Sequence, residues 1–103
     1  MATFNYMVAG TTFRPKADIF KVADALADGQ SLDVELVAEP DNQYDPNAIM
    51  VIIGNVFVGY VPRQYATFIA NLLKNQRTVT STVSLKGYDE VKENQGFLIK
   101  STV

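Results

Sequence analysis

The chain has 103 residues, which suits one domain, and it carries a formal net charge of −2. It contains no cysteine and no histidine, which excludes disulfides, cysteine-based metal centres and the commonest acid–base group and metal ligand. No apolar run could span a bilayer, and residues 1–13 do not resemble a signal peptide. We therefore expect a cytoplasmic protein with no membrane partner, no metal and no cofactor.

The charge is distributed unevenly along the chain. Residues 18–45 contain eight acidic residues and only one basic residue, Lys21. An acidic chain argues against a large nucleic-acid footprint, which is normally basic. Because most basic residues lie outside this segment, a local positive patch remains compatible with the sequence.

The first third of the chain predicts a strand, a helix and a second strand. Apolar alternation predicts a strand over residues 4–12. Pro15 marks a turn or a first helical position. Apolar residues at i, i+3, i+4 and i+7 then predict a helix of about three turns that stops at Gly29. Within residues 32–37, apolar residues alternate with acidic residues, as in a half-exposed strand.

The middle of the chain predicts a hairpin followed by a helix. Residues 48–53 form an apolar strand, and Gly54-Asn55 is typical of a two-residue hairpin turn because Gly accepts a positive φ. The return strand covers residues 56–61. One apolar stripe then predicts a helix over residues 62–75, with Pro62 in its first turn.

The last third predicts two strands around a polar loop. Residues 78–85 alternate as a long strand, residues 87–96 are polar and predict a loop, and residues 97–103 predict a last strand. About six strands and two helices in this order indicate an α+β fold built on a small antiparallel barrel.

The connection between the strands 32–37 and 48–53 is longer than a hairpin requires. It reads Glu39-Pro40-Asp41-Asn42-Gln43-Tyr44-Asp45-Pro46-Asn47-Ala48-Ile49. Long loops on a strand scaffold often carry binding groups. An aromatic ring beside a carboxylate and amides offers stacking and hydrogen bonds, which suits a polar ligand with a flat face.

Four segments of the chain resemble the HIRAN domain family. They are Val8-Ala9-Gly10-Thr11-Thr12-Phe13-Arg14, the connection at residues 39–49, Val58-Gly59-Tyr60-Val61-Pro62-Arg63 and the helix carrying Ala66. The resemblance covers roughly residues 5–85 and implies a single HIRAN-like domain over residues 1–103 with an OB-like barrel. It also implies binding of single-stranded DNA, in the best understood members at a free 3′ end.

The resemblance implies a set of DNA-binding residues: Phe13, Arg14, Asn42, Tyr44, Asp45, Tyr60 and Arg63. In that picture Phe13 and Tyr44 stack on a terminal base, and Asp45 accepts a hydrogen bond from the 3′ hydroxyl. Tyr60 and Arg63 serve the adjacent nucleotide and its phosphate. Thr12 is a departure, because some DNA-binding members have an arginine directly before the first aromatic. Arg14 follows that aromatic instead. In a strand it would point to the opposite face, whereas a turn at Pro15 would let it reach the phosphate.

Four of these residues also have a purely structural interpretation. Tyr44 could cap the end of the barrel, and Phe13 could belong to the core. Asp45 could form an Asx turn before Pro46. Arg63 could be a solvated cation in the first turn of a helix, where the macrodipole disfavours it. If the functional interpretation holds, Phe13, Tyr44, Asp45 and Arg63 should line one groove with both rings exposed.

The function that we expect is a non-catalytic DNA-binding module for single-stranded 3′ ends. DNA repair, replication or phage DNA metabolism would be its setting, with helicase or nuclease proteins as further partners. The alternative is a protein-interaction or structural domain of the same fold that has lost DNA binding. A calcium loop at residues 41–52 fails, because Pro46 and Ile52 replace the required Gly and Glu.

Overall fold

The computed structural model describes residues 2–89 and 94–103. These residues form two α-helices, one 3-10 helix and six strands. In chain order the elements are β1 (Thr3–Met7), the 3-10 helix (Thr11–Phe13), α1 (Lys16–Ala27), β2 (Val34–Ala38), β3 (Ile49–Ile53), β4 (Val56–Tyr60), α2 (Arg63–Lys74), β5 (Thr80–Asp89) and β6 (Asn94–Thr102). Neither α-helix is long and apolar enough to cross a membrane.

The strands form two antiparallel sheets of three strands each. One has the order β1-β6-β5 and the other the order β2-β3-β4. A bridge between Ala9 and Tyr60 joins the sheets, with each N–H donating to the other residue's carbonyl oxygen at 2.8 and 2.9 Å. The predicted α+β fold with two helices and six antiparallel strands is confirmed. The predicted barrel is not closed in the described residues, because no hydrogen-bonded ladder connects the outer strands β2 and β5.

The core receives side chains from both sheets and both helices. Ile49, Val51 and Ile53 are completely buried and lie on one face of β3, as the period of two along a strand requires. Phe97 and Ile99 of β6 are equally buried and provide the other sheet's contribution. Helix α1 adds Ile19, Val22 and Ala23, and α2 adds Ala66 and Ile69.

The two helices begin after prolines. The Pro15 carbonyl accepts N–H groups from the first turn of α1, and the Pro62 carbonyl does the same for α2. Each proline is therefore the N-cap, the residue directly before the first helical one. The sequence predicts Pro62 inside the helix, so the predicted start of α2 is one residue too early. Gly29 adopts φ 83° just beyond α1, in agreement with the predicted stop.

The strand predicted over residues 4–12 is too long. β1 ends at Met7, and Gly10 takes φ 76°, which a strand does not allow. The Phe13 N–H then donates to the Gly10 carbonyl oxygen at 3.1 Å and closes the 3-10 helix. Phe13 and Arg14 therefore lie beyond the strand, and alternation between strand faces does not govern their directions.

The polar loop predicted over residues 87–96 is also wrong at both ends. β5 continues to Asp89 and β6 begins at Asn94, with Lys86 paired to Gly96 and Asp89 to Asn94. Ladder hydrogen bonds join backbone groups, so they can continue where apolar alternation has ended. Residues 90–93 of the predicted loop lie outside the described residues.

Gly59 allows the end of β1 to approach β4. A Cβ atom at this position would lie 2.4 Å from the Ala9 carbonyl oxygen and 2.7 Å from a methyl group of Val8. The register between β3 and β4 shifts at Val51 and Ile52, next to this contact. The absence of a side chain thus lets the two sheets meet beside Tyr60.

Candidate functional site

The loop of residues 39–48 is held by its own side chains. The Asn42 Oδ1 atom accepts the N–H groups of Tyr44 at 2.9 Å and Asp45 at 3.0 Å, and Asn42 Nδ2 donates to Glu39 Oε1 at 2.6 Å. The Asp45 Oδ1 atom accepts the Asn47 N–H at 2.9 Å, which confirms the predicted Asx turn. Asn42 is thus engaged within the loop through both its oxygen and its nitrogen.

Two aromatic rings project into solvent. Tyr44 in the loop is 84% exposed and Phe13 after the 3-10 helix is 88% exposed. Neither ring takes part in the aromatic contacts found among residues 2–86 and 96–103, whose side chains the structure describes. The structure thus disagrees with the interpretations that place Phe13 in the core and use Tyr44 as a partly buried cap.

Strand β4 supplies a second group of rings beside the loop. The Tyr60 hydroxyl donates to Glu39 Oε1 at 3.0 Å, and its ring meets Phe57 edge-on with centroids 5.3 Å apart. Burial, and secondly the hydrogen bond to Glu39, raises the pKa of Tyr60 above the ordinary value of 10.0. Tyr60 is therefore a neutral donor near neutral pH and has a fixed position.

Arg14 lies against the same strand. Its Cζ atom is 4.0 Å from the centroid of the Phe57 ring, and its Nε donates to the Phe57 carbonyl oxygen at 3.2 Å. In this cation–π contact, one face of the Arg14 guanidinium lies against the Phe57 ring. The expectation that Arg14 would point away from the site rested on a strand that is absent here.

A hollow of about 520 Å³ lies between the loop and β4. Its lining consists of Glu39, Asp41, Asn42, Gln43, Tyr44 and Tyr60. The hollow thus brings together three of the predicted residues, Asn42, Tyr44 and Tyr60. The lining does not include Phe13, Arg14, Asp45 or Arg63. We expected Phe13, Tyr44, Asp45 and Arg63 to line one groove, and only Tyr44 of these four lines the hollow.

Asp45 and Arg63 form a separate pair beside the hollow. Arg63 Nε lies 3.7 Å from Asp45 Oδ2, with the Arg63 side chain 81% exposed and the Asp45 side chain 23% exposed. An exposed pair of this kind contributes only about 0–1 kcal/mol to stability. The guanidinium consequently remains accessible for a second anion.

Glu39 is the residue of this site that we missed in the sequence. Its carboxylate accepts hydrogen bonds from both Asn42 and Tyr60 and thereby connects the loop to β4. The available signal was a carboxylate directly after a predicted strand and three residues before an asparagine. The partner on β4 is 21 residues away, so spacing alone could not identify it.

Comparisons with known proteins agree with this architecture. A comparison with curated proteins finds no match. Among solved structures, the HIRAN domain of human HLTF is similar with a TM-score of 0.67 and 20% identity, over 97% of this chain and 74% of that one. A protein from Lactobacillus plantarum is similar with a TM-score of 0.61 and 20% identity, over 97% of this chain and 95% of that one.

At this level of identity the two structures establish the fold alone. The sequence itself matches the HIRAN domain over residues 1–99, almost the entire chain. The chain therefore belongs to the HIRAN domain family, which is known as a family of DNA-binding modules.

Proposed function

We propose that this domain binds single-stranded DNA at a free 3′ end and catalyses no reaction of its own. The observation that carries the proposal is the exposure of the Phe13 and Tyr44 rings, at 88% and 84%. A nucleobase of any identity can stack on such a ring, with a contribution of about 1–3 kcal/mol per base.

The two rings flank one strand. Phe13 is adjacent in sequence to Arg14, which lies on Phe57 of β4. Tyr44 lines the hollow with Tyr60 of the same strand. In the proposed complex the terminal base stacks on Tyr44 and Phe13, and Tyr60 contacts the nucleotide before it.

The pair of Asp45 and Arg63 fits the chemistry of a strand terminus. A terminal nucleotide with a free 3′ hydroxyl has a phosphate on its 5′ side only. Asp45 would accept a hydrogen bond from the hydroxyl and repel a 3′ phosphate. Arg63, only 3.7 Å from that carboxylate, would attract the phosphate on the 5′ side.

The remaining predicted residues receive more limited roles. Arg14 keeps its charge while it lies on Phe57, so it can still attract a phosphate near Phe13. Asn42 orders the loop, since its side chain bonds to Glu39, Tyr44 and Asp45. A cytoplasmic setting in DNA repair, replication or phage DNA metabolism, with helicase or nuclease partners, belongs to the same proposal.

A protein-interaction role without DNA binding is the second candidate. The acidic lining of the hollow favours it, since Glu39 and Asp41 are its ionisable carboxylates and both repel phosphate. Thr12, at the position where some family members have an arginine, points the same way.

Fluorescence anisotropy with short labelled single strands tests the proposal. At low salt the wild-type protein should bind a strand with a 3′ hydroxyl more tightly than the same strand with a 3′ phosphate. About two or three phosphate contacts predict a salt slope of about −1.4 to −2.1. No binding at low salt would contradict the DNA-binding role and favour the second candidate.

Asp45→Asn isolates the effect of the charge. The amide oxygen can still accept the Asn47 N–H, so the Asx turn is retained while the negative charge is removed. Discrimination against the 3′ phosphate should shrink in this variant. Asp24→Asn, an identical change at an exposed position of α1, is the matched control. Equal binding of both strand ends by the wild-type protein would contradict the selectivity for a 3′ hydroxyl and the role of Asp45, and would leave single-strand binding intact.

A further inference from the structure

One carboxylate oxygen connects the loop of residues 39–48 to strand β4. Glu39 Oε1 accepts the Tyr60 hydroxyl at 3.0 Å and the Asn42 side-chain amide at 2.6 Å. The oxygen of that same Asn42 amide accepts the N–H groups of Tyr44 and Asp45. A continuous hydrogen-bonded path therefore runs from β4 to the backbone of the two residues proposed to read the strand end.

The β4 end of this path is rigidly placed. Tyr60 exchanges two backbone hydrogen bonds with Ala9, and its ring meets Phe57 edge-on. Phe57 in turn lies beneath the Arg14 guanidinium. The hydroxyl that Glu39 accepts thus belongs to a residue held through both its backbone and its ring.

The loop has other closing bonds that do not involve the Glu39 side chain. The Glu39 N–H donates to the Ala48 carbonyl oxygen at 2.9 Å, and the Ala48 N–H donates to the Asp45 carbonyl oxygen at 3.0 Å. Loss of the carboxylate would therefore leave the loop closed at its base. The Asn42 N–H would also keep its bond to the Glu39 carbonyl oxygen at 3.0 Å. Loss of the carboxylate would instead release the Asn42 side-chain amide, which accepts the N–H groups of Tyr44 and Asp45.

We infer that Glu39 is a positioning residue that sets the Tyr44–Asp45 segment in its binding geometry before DNA arrives. Its effect on DNA rests on the proposed function, whereas its effect on the free loop does not. A carboxylate suits the task, because it is an acceptor only and its charge strengthens both bonds. Ordering the loop in advance reduces the conformational entropy lost on binding.

Amide hydrogen exchange of the DNA-free protein tests the positioning directly. Glu39→Ala should accelerate exchange of the Tyr44 and Asp45 amides by about fivefold or more, the factor expected for losing one hydrogen bond of typical net strength. The Gly54 amide, which donates to the Asp33 carbonyl oxygen at the opposite end of β3, should not change. Glu35→Ala at an exposed position of β2 is the matched control.

Conservative variants separate positioning from general damage. Glu39→Gln retains an oxygen acceptor without the charge and should restore part of the protection. Tyr60→Phe removes one of the two donors and should reproduce part of the loss. Both variants preserve side-chain shape, so they remain informative if Glu39→Ala fails to fold. Unchanged exchange at Tyr44 and Asp45 in Glu39→Gln and Tyr60→Phe, and in a folded Glu39→Ala, would overturn the inference.

The preference for a 3′ hydroxyl over a 3′ phosphate provides the second readout. In Glu39→Ala this preference should fall about fivefold or more relative to Glu35→Ala. Faster exchange with an unchanged preference would overturn the role of Glu39 in reading the end. Faster exchange in a protein whose wild type binds no DNA would overturn the proposed function and leave the positioning of the loop intact.

Discussion

Strand β3 is connected at its two ends by links of opposite design. Toward β4 the chain reverses through Gly54 and Asn55, which take φ values of 55° and 67°. Toward β2 it uses the ten residues 39–48, between the end of β2 and the start of β3. The first link turns through backbone conformation. The second is held by the side chains of Glu39, Asn42 and Asp45.

The difference shows what each link accomplishes. Two residues are sufficient to reverse an antiparallel strand, so the longer link is not required for reversal. Its internal hydrogen bonds instead hold an aromatic ring in solvent, at 84% exposure, beside a carboxylate. We therefore expect mutations in the short link to change stability and mutations in the long link to change binding.

Tyr44→Ala should produce the largest effect and should affect binding only. Loss of the stacking ring should reduce DNA affinity by about 1–3 kcal/mol. The free energy of unfolding should change by less than about 0.5 kcal/mol, because the ring is almost fully exposed. Anisotropy titrations and urea unfolding measure the two quantities. A variant that loses stability but keeps its affinity would reverse the assignment of the loop.

Gly54→Ala should have the converse effect. The residue would have to adopt φ 55°, and its Cβ atom would lie 3.4 Å from Leu32 Cδ2. We expect the free energy of unfolding to fall by about 1–2 kcal/mol, with DNA affinity unchanged. Gly29→Ala is a useful control, because it has a positive φ but no atom within 4 Å of the added Cβ. A change in affinity would show that the two links are coupled.

Tyr60→Phe should have a smaller effect that depends on pH. At neutral pH the lost hydrogen bond to Glu39 should lower the free energy of unfolding by about 0.5–1.5 kcal/mol. Burial chiefly, and Glu39 secondly, raises the pKa of Tyr60 above 10.0. The stabilisation by the neutral phenol is thus complete below about pH 10 and is lost as the pH rises through the higher folded-state pKa.

Urea unfolding at a series of alkaline pH values, with tyrosinate absorbance, measures this dependence. The wild-type protein should lose stability more steeply than Tyr60→Phe above about pH 10. Some loss should persist in the variant, because burial also raises the pKa of Tyr6. Parallel curves for the two proteins would contradict the raised pKa of Tyr60 in the folded protein.

Arg63→Ala should change stability least. Its ion pair with Asp45 is exposed, so the free energy of unfolding should change by less than about 1 kcal/mol. DNA affinity should fall for all sequences alike, and the salt slope should become shallower by about 0.7, the value for one phosphate contact. Lys100→Ala, another exposed cation, is the control. An unchanged slope would remove Arg63 from the phosphate-binding set.

The elements that the sequence predicted well depend on neighbouring residues. The Gly54-Asn55 turn requires positive φ, and α2 follows from an apolar stripe of helical period, so both are encoded locally. The contacts of the site are encoded over longer distances. Arg14 meets Phe57, 43 residues away, and Glu39 meets Tyr60, 21 residues away. Composition and residue spacing do not identify partners so far apart in the sequence.

The outward direction of Tyr44 was likewise not predictable from its neighbours in sequence. A tyrosine in a loop can fold back on the sheet or project into solvent, and its neighbours in sequence are polar in both cases. In the structure the ring projects into solvent, and the hydrogen bonds of Asn42 fix the backbone of Tyr44 and Asp45 beneath it. The resemblance to the HIRAN family drew attention to this segment, whereas the hydrogen bonds within it became visible only in three dimensions.

Gly59 has a consequence for the order of folding. Phe13 and Arg14 follow β1 of one sheet, while Tyr44 belongs to the other, and the sheets meet where Gly59 admits Ala9. A chain whose sheets have formed but not docked would contain every proposed contact residue without the composite surface. Contacts between distant residues usually form slowly. DNA binding should accordingly appear during refolding only after the two sheets have docked, so that it reports this docking.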